Sequence, residues 1–436
     1  MLTISRFIAD RFGRKAAIAT GSAIVLVAGA LVAGSVNIAM FIVFRFICGF
    51  GALMLTIAVP LWISEIAPPN SRGFLAGLHA FMTVLGFTVS AYVGIGFYYY
   101  KTTDSAQWRG PLALVCLWPL INLVTIPFVN ESPRWLMTRD RFEEASKILE
   151  TLHARADDPG HEYARAEFLQ IQRQNELDKT MTTSWMEIWR RPSYRKRFMI
   201  AGALTFFCNT CGTLVVSNYG STIYSELGYS ASQSLEFIAG TGPVAAFGML
   251  VSFPFVDRVP RNILIAAGIL GCAICLSCEA AMTASFLGTT NKSGLSAAVA
   301  FIYLVVFCYN VFLEGPSWYF NAEIAPTHLR AKIMTFGLMV FCCSNLLWLN
   351  LSPTAFKNIS WRFYLVFICI SLASSITVFL FFPNTLGKPL EEVARLFGDE
   401  DLVAVYQKDL TGDQERDSLE GEKVGGGSHV EVERVP

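Results

Sequence analysis

Glu65-Ile66-Ala67-Pro68-Pro69-Asn70-Ser71-Arg72 recurs 258 positions later as Glu323-Ile324-Ala325-Pro326-Thr327-His328-Leu329-Arg330. Each copy follows a long apolar stretch with a proline and a tryptophan, and another apolar stretch comes after it. The interval is too long for a solenoid, whose period is about 20–50 residues. The repeated phrase therefore predicts two homologous halves, each of which crosses a membrane and returns to the same side at this phrase.

Composition predicts an integral membrane protein. The 436 residues are 53% hydrophobic and only 16% charged, whereas soluble proteins carry about 25% charged residues. Formal net charge is zero, so nothing indicates a nucleic-acid partner. A helix needs about 20 mostly apolar residues to cross a bilayer, and ten stretches meet this requirement. They are 16–36, 39–63, 74–97, 111–128, 198–219, 236–256, 263–282, 295–320, 333–351 and 363–382.

Charge divides the chain into four predicted parts. Residues 1–130 form an N-terminal bundle, 131–197 a charged loop with amphipathic helices, 198–383 a C-terminal bundle, and 384–436 a largely disordered polar tail. Lys and Arg gather next to the membrane on the cytoplasmic side. Basic clusters at the loop ends and at both Glu-to-Arg phrases therefore predict that these parts and the C-terminus are cytoplasmic.

Several short motifs occur in register along the chain. They are Asp10-Arg11-Phe12-Gly13-Arg14-Lys15, Arg45-x-x-x-Gly49-x-Gly51, Pro60-x-Trp62-x-Ser64-Glu65, Glu131-Ser132-Pro133-Arg134-Trp135, Trp318-x-x-x-x-Glu323, Trp361-Arg362-Phe363-Tyr364 and Pro383-x-Thr385-x-Gly387. This set, in this order, resembles the sugar porter family of the major facilitator superfamily, in a fungal style. The resemblance implies an all-α multi-pass membrane protein with the major facilitator fold. We expect two pseudo-symmetric helical bundles, about ten full transmembrane helices and an N-terminal stub.

The stub is short. Residues 1–9 are apolar but cannot span a bilayer, and they lack the length and cleavage site of a signal peptide. Compared with the family pattern of six helices in each half, the chain is expected to lack the first helix and most of the second. An incomplete gene model, a splice product and a degraded paralogue are all compatible with such a start.

The motif residues predict a cytoplasmic gate. Two bundles that rock about a central site must hold each other while that side is shut, and weak exposed ion pairs of about 0–1 kcal/mol suit a latch that breaks in each cycle. The gate residues are Asp10, Arg14, Glu65, Arg72, Glu131, Arg134, Glu323 and Arg330. The second copy of the Asp10 loop, Asp257-Arg258-Val259-Pro260-Arg261, lacks the glycine and the following arginine of the family pattern, which predicts a weaker latch there.

Polar residues within the helices are candidates for the solute site. The predicted substrate-binding residues are His79, Asn209, Asn218, Tyr219, Glu314, Trp318 and Asn345. By resemblance, Trp318 stacks on the sugar, and Arg45 is the proton-coupling candidate whose usual acidic partner is missing. Fewer amides than in hexose-binding members predict a solute other than an ordinary hexose. Structural alternatives are a packed histidine at His79, a kink hydrogen bond at Glu314 and helix–helix hydrogen bonds from the asparagines.

We therefore predict secondary-active or facilitative transport of a sugar, polyol or related polar solute by alternating access, in the plasma membrane. Proton symport and facilitated diffusion both fit. A non-transporting nutrient sensor and a non-functional truncated paralogue or incomplete gene model are the rival hypotheses. No phosphate-binding Gly-x-x-x-x-Gly-Lys loop, nucleophile–base pair or metal-ligand set is present in the sequence. We expect no enzyme activity, cofactor or metal, and as partners only a small carbohydrate-like solute, protons and the lipid bilayer.

Overall fold

The structure is a computed structural model. It describes residues 8–67, 72–100, 105–152, 165, 168, 169, 171, 172, 185–256, 258–287, 289, 291–386, 393 and 396–398. The beginning of the predicted stub and most of the predicted tail lie outside these residues. Residues Met1–Gly387 form one compact unit that contains every helix named below, and Lys388–Pro436 form a second unit.

The described part of the chain is helical and contains no β-strand. Its first group of helices is α1 (Arg14–Ala33), α2 (Ile38–Ile66), α3 (Arg72–Tyr99), α4 (Ala106–Leu114), α5 (Leu117–Thr125), α6 (Pro133–Thr138), α7 (Phe142–Leu152) and α8 (Trp185–Arg190). The second group is α9 (Pro192–Asn209), α10 (Thr213–Glu226), α11 (Ala231–Val256), α12 (Arg261–Phe286), α13 (Lys292–Tyr309), α14 (Gly315–Glu323), α15 (Thr327–Ile359) and α16 (Phe363–Phe381).

Within the described residues, nine helical segments are long and apolar enough to cross a membrane. The last, Lys332–Phe381, is 50 residues long and contains most of α15 and all of α16. At about 1.5 Å per residue it is too long for one crossing of a hydrocarbon core about 30 Å thick. It therefore accounts for two of the ten predicted spans, and the all-α multi-pass prediction is confirmed.

Side chains fix several helix boundaries. The Asn37 carboxamide oxygen accepts a hydrogen bond from the Met40 amide at 2.7 Å at the start of α2, and Asn291 accepts from the Gly294 amide at 3.3 Å at the start of α13. Such side-chain caps satisfy amides that have no partner within the helix. Gly212, at φ 83°, occupies the left-handed region between α9 and α10.

The two helical groups meet along a seam between α3 and α11. Near one end Gly77 packs against Phe253, where a Cβ on the glycine would lie 2.6 Å from the ring. At mid-length, a Cβ on Gly242 would lie 2.9 Å from the Cα of Thr88. At the far end the Tyr99 hydroxyl donates to Glu236 Oε1 at 2.8 Å. The seam thus runs almost the full length of both helices.

The charged segment between the two groups contributes its own small core. Helix α7 buries Ala145 and Leu149 against Leu136 and Met137 of α6. Its first turn carries Glu143 and Glu144, and acidic residues there interact favourably with the helix dipole. The apolar stripe of this helix therefore packs on protein.

Candidate functional site

A polar cluster lies where α1 begins and α2 ends. Arg14 donates from Nε to Glu65 Oε2 at 2.9 Å and from Nη2 to Glu65 Oε1 at 3.0 Å. The Ser132 hydroxyl also donates to Glu65 Oε2. The side chains of Arg14 and Glu65 are only 12% and 9% exposed. A two-pronged, charge-assisted contact of this kind is geometrically specific, and we call these residues together with Glu131 the Glu65 cluster.

Glu131 caps α1 from more than a hundred residues away. Its carboxylate accepts from the backbone amides of Arg14 at 3.1 Å and Lys15 at 3.2 Å, and also from that of Ser132 at 2.9 Å. A helix N-terminus favours a negative charge through its free amides and its dipole. Gly13 has φ 104°, and a Cβ there would collide with the Glu131 carboxylate. The glycine of the Asp10 loop is therefore required both by backbone conformation and by this close approach.

The second copy of the repeated phrase builds a matching cluster. Arg261 donates from Nη2 to Glu323 Oε1 at 3.2 Å, and the Thr385 hydroxyl donates to Glu323 Oε2 at 2.6 Å. Glu323 is more open than its counterpart, with 30% of its side chain exposed. We call these residues the Glu323 cluster, and the end of the molecule where both clusters lie the ion-pair end.

The arginine that the loop motif led us to expect missing from the second half is therefore present. Arg261 follows Asp257 by four positions, as Arg14 follows Asp10, and it takes the same role. Pro260 stands in the place of Gly13 and precedes the first residue of α12, which suits a residue with a fixed φ. The expectation of a missing arginine in the second half is wrong, because the loop keeps its length and its basic residue.

The other predicted gate residues are close to these clusters along the chain. Asp10 contributes its carbonyl, which accepts from Trp135 Nε1 at 3.0 Å and Arg139 Nη2 at 3.1 Å, while its carboxylate lies 3.7 Å from Arg14 Nη1. Arg134 is half-buried in the first turn of α6. Arg330 is half-buried near the start of α15. Arg72 begins α3, but its side chain lies outside the described set. The ion pairs described at the two clusters each join residues of one helical group.

A second candidate region lies along one face of α15. Phe341, Asn345 and Trp348 follow one another at helical spacing, which places them on one stripe. The Phe341 ring centroid is 6.1 Å from that of Trp318 on α14, and Trp348 Nε1 donates to the Thr210 hydroxyl at 3.3 Å. Trp318 is thereby brought to the helix that carries Asn345, and Asn209 directly precedes Thr210, the residue that Trp348 contacts.

Two predicted solute residues in this region have an orphaned amide atom. Asn209 Nδ2 and Asn345 Oδ1 are buried and have no hydrogen-bond partner among the described residues. Buried polar atoms are nearly always satisfied, so each exception needs an explanation. Tyr219 is already engaged, because its hydroxyl donates to the Leu349 carbonyl at 2.7 Å. Asn218 is exposed, and its amide donates to the Leu214 carbonyl at 2.9 Å.

Glu314 closes a π-helical turn, Asn310–Glu314, between α13 and α14. Pro316 follows two residues later and lacks the N–H that would continue the helical ladder, which explains why the winding changes here. The sequence contained the proline but gave no sign of the wider turn, which frequently marks functional sites.

His79 and Arg45 occupy the first helical group. His79 is half-buried on α3, two residues beyond Gly77, which packs against Phe253 and Tyr319 of the second group. Arg45 is exposed on α2, and its guanidinium carbon lies 5.5 Å from the centre of the Phe41 ring. The structure therefore places His79 close to the seam and Arg45 at an exposed position of α2.

Comparison with known proteins agrees with this architecture. The sequence profile described as "Sugar (and other) transporter" matches residues 2–397. The chain belongs to this sugar transporter family. It is 30% identical over 401 residues to the MFS-type transporter criB of Aspergillus cristatus, covering 91% of this chain and 81% of criB. It is 28% identical over 418 residues to the high-affinity glucose transporter of Kluyveromyces lactis, covering 91% of this chain and 74% of that protein.

Solved structures confirm the fold. The proton:xylose symporter XylE of E. coli, bound to 6-bromo-6-deoxy-D-glucose, superposes with a TM-score of 0.75 at 22% identity, covering 90% of this chain and 85% of XylE. The predicted major facilitator fold with two related bundles is therefore correct. The sugar transporter family carries solutes, so this chain is a multi-pass membrane transporter and not an enzyme. The described residues contain no group of three potential metal ligands.

Proposed function

We propose that this transporter carries a sugar, polyol or related polar solute by alternating access, through a path bordered by α15, α14, α9 and the seam helix α3. The observation that carries the proposal is the pair of orphaned amide atoms, Asn209 Nδ2 and Asn345 Oδ1. A buried polar atom left unpaired costs about 1–3 kcal/mol. A polyhydroxylated solute offers hydroxyls that both donate and accept, so it satisfies such atoms when it binds.

Aromatic groups beside the orphaned amides support the same class of solute. Trp318 and Phe341 form a tilted pair, and the Trp318 side chain is half-exposed. A flat apolar ring next to hydrogen-bonding groups matches a sugar, which has apolar C–H faces and polar edges. A relative named as a high-affinity glucose transporter lends further support. Glu314 and His79 are proposed to contact the solute as well, from opposite sides of the seam.

The Glu65 and Glu323 clusters are proposed as the gate on the cytoplasmic side. Each joins the start of one helix to the end of another and to a hydroxyl from a third segment. Because each cluster holds its own helical group together, it allows that group to move as one body. The contacts that break and form between groups are then assigned to Arg72, Arg134 and Arg330, with the chain in the plasma membrane and its C-terminus in the cytoplasm.

Solute uptake tests the proposal directly. The chain is produced in yeast that lacks its own hexose transporters, and uptake of labelled hexoses, pentoses and polyols is measured beside surface abundance. We expect saturable uptake of at least one solute, reduced more than tenfold by Trp318→Ala at equal surface abundance. Trp118→Ala is the matched control, because Trp118 lies on α5 and is 65% exposed. Absence of uptake by a well-expressed wild-type chain would reject transport of this class of solute.

Arg45 is proposed as the group that couples protons to solute. A charged side chain inside a membrane helix costs up to about 2.5–3.5 kcal/mol on insertion scales, the value for the helix centre, so its presence in α2 calls for a function. Under proton symport, adding solute makes the external medium of the cells more alkaline. Arg45→Gln should then abolish accumulation against a gradient while solute exchange continues. Uptake by the wild type without any pH change would instead indicate facilitated diffusion.

A further inference from the structure

A cavity of about 420 Å³ lies across the seam at the end of the molecule opposite the ion pairs. Helix α3 contributes Ala91, Gly94 and Tyr98, α4 contributes Gln107 and Trp108, and α11 contributes Leu235 and Ile238. The cavity shares no residue with the proposed solute region. It lies next to the hydrogen bond between Tyr99 and Glu236 that joins the two helical groups.

The wall of the cavity changes character along the helix axis. Ala91, Gly94 and Ile238 lie further from the ends of their helices, whereas Tyr98 lies at the end of α3 and Gln107 at the start of α4. Ala91 and Tyr98 are about 10 Å apart along α3, given a rise of about 1.5 Å per residue. Tyrosine and tryptophan gather at the level of lipid headgroups. The cavity is therefore apolar toward the membrane interior and polar toward its surface.

This polarity excludes a sugar as the occupant. Gln107 Nε2 already donates to the Tyr100 carbonyl at 3.1 Å. The rim therefore offers little more than the Gln107 carbonyl and the Tyr98 hydroxyl, and a sugar would bury several unpaired hydroxyls at about 1–3 kcal/mol each. A flexible acyl chain fits the apolar wall but loses conformational freedom on binding. A rigid lipid with one polar group avoids both costs.

The shape of the α3 wall favours a flat ring system. Ala91 and Gly94 present almost no side chain, and a Cβ built on Gly94 would meet nothing within 4 Å. The stretch Val93-x-x-x-x-Tyr98-x-x-Lys101 also matches a sequence pattern associated with cholesterol contact. That pattern is weak alone, and Lys101 lies outside the described residues, but its central tyrosine is the one at the rim.

We propose that this cavity binds a sterol, with its rings against Ala91 and Gly94 and its hydroxyl at Tyr98 and Gln107. The sterol would touch both helical groups, because Leu235 and Ile238 form the opposite wall. A ligand that binds one arrangement of the groups better than another shifts the population toward that arrangement. Sterol content of the bilayer is therefore expected to alter the transport rate, a consequence that rests on the proposed function.

Photolabelling tests the site without any need for transport. The purified full chain in liposomes is exposed to a photoreactive diazirine sterol, and labelled peptides are identified by mass spectrometry. We expect labelling around Tyr98 and Trp108, reduced at least tenfold by Gly94→Leu, which fills the cavity. Gly86→Leu is the matched control on the same helix, because a Cβ at Gly86 also meets nothing within 4 Å. Ile238→Trp fills the cavity from the other helical group and should have the same effect as Gly94→Leu.

Two results would overturn the proposal. One is equal sterol labelling in Gly94→Leu, Ile238→Trp and Gly86→Leu. The other is labelling of the same peptides by a diazirine phospholipid that excess sterol does not displace, which would identify the cavity as a general acyl-chain groove. Labelling as expected without uptake of any solute would contradict the proposed function and leave the sterol site standing.

Discussion

Burial distinguishes the two repeated glutamates. In the Glu65 pair both side chains are about one-tenth exposed, whereas Glu323 is 30% exposed beside an arginine that is 7% exposed. An ion pair that is removed from water loses much when one partner is neutralised, because the other charge stays buried. The Glu323 pair loses less, since water already reaches its carboxylate and Arg261 also donates to the Val256 carbonyl. The ion pair of Glu65 is therefore expected to contribute more to the free energy of unfolding than the ion pair of Glu323.

Neutralising each glutamate measures that difference. Glu65→Gln keeps the shape of the side chain but leaves Arg14 without its main counter-charge, and we expect a loss of about 3 kcal/mol of unfolding free energy. Glu323→Gln should cost about 1 kcal/mol, as for exposed pairs. Thermal unfolding of the two purified variants in detergent provides the comparison. An equal or larger shift for Glu323→Gln would contradict the burial argument.

Gly13 allows a second test at the scale of one residue. Gly13→Ala forces a Cβ into the left-handed region and against the Glu131 carboxylate, so we expect a loss of about 1–2 kcal/mol from the backbone alone. Gly49→Ala is the control, because a Cβ at Gly49 meets nothing within 4 Å. The thermal midpoint of the control should equal or exceed that of the wild type, because alanine is a better helix former than glycine. A Gly13→Ala variant as stable as the wild type would show that Gly13 does not adopt this conformation beside Glu131 in the folded chain.

Sequence predicted the charged residues of these clusters better than their partners. Glu65 and Glu323 were predicted as gate residues from the repeated phrase, and Arg14 from the loop motif. Ser132 and Thr385 donate to the two glutamates, but hydroxyl residues occur everywhere, so a pattern search has no reason to select them. The structure finds them because Ser132 follows α5 and Thr385 follows α16 in the chain, and only folding brings these positions next to the glutamates.

At the scale of helices, the length of each apolar stretch predicted the membrane-spanning helices but not the irregular turns within them. Ten predicted spans correspond to the described helices, because the hydrophobic stretch alone determines where a chain crosses a bilayer. The π turn at Asn310–Glu314 and the irregular residue Tyr219, at φ −109° and ψ 17°, were not predicted. Such departures depend on what neighbouring helices offer the backbone, which no local pattern contains.

The seam between α3 and α11 is expected to tolerate no added volume at its centre. Gly242→Val places methyl groups against the backbone of Thr88, and overpacking of this kind costs about 1–3 kcal/mol. We expect uptake to fall more than fivefold, because the two helical groups lose their normal approach. Gly86→Val lies on the same seam helix in open space and should transport normally. Normal uptake by Gly242→Val would show that close contact at this point is not needed in any step.

For the whole molecule, N-glycosylation reports which side each loop faces. The sequons at Asn291 and Asn358 lie at the end opposite the ion pairs, and that at Asn130 lies beside the Glu65 cluster. The proposed orientation places the first two outside the cell and the third inside. A glycosidase should therefore reduce the apparent mass of the wild type, and Asn291→Gln with Asn358→Gln should remove the effect. A glycan on Asn130 would invert the proposed topology.

Alternating access requires the two helical groups to move against each other at the ion-pair end. Phe12 and Arg258 are exposed residues in the corresponding loops of the two groups, so spin labels there report their separation. In liposomes we expect a distribution with at least two distances, whose proportions shift when a transported solute is added. A single separation that does not respond to a solute the protein demonstrably carries would contradict the claim.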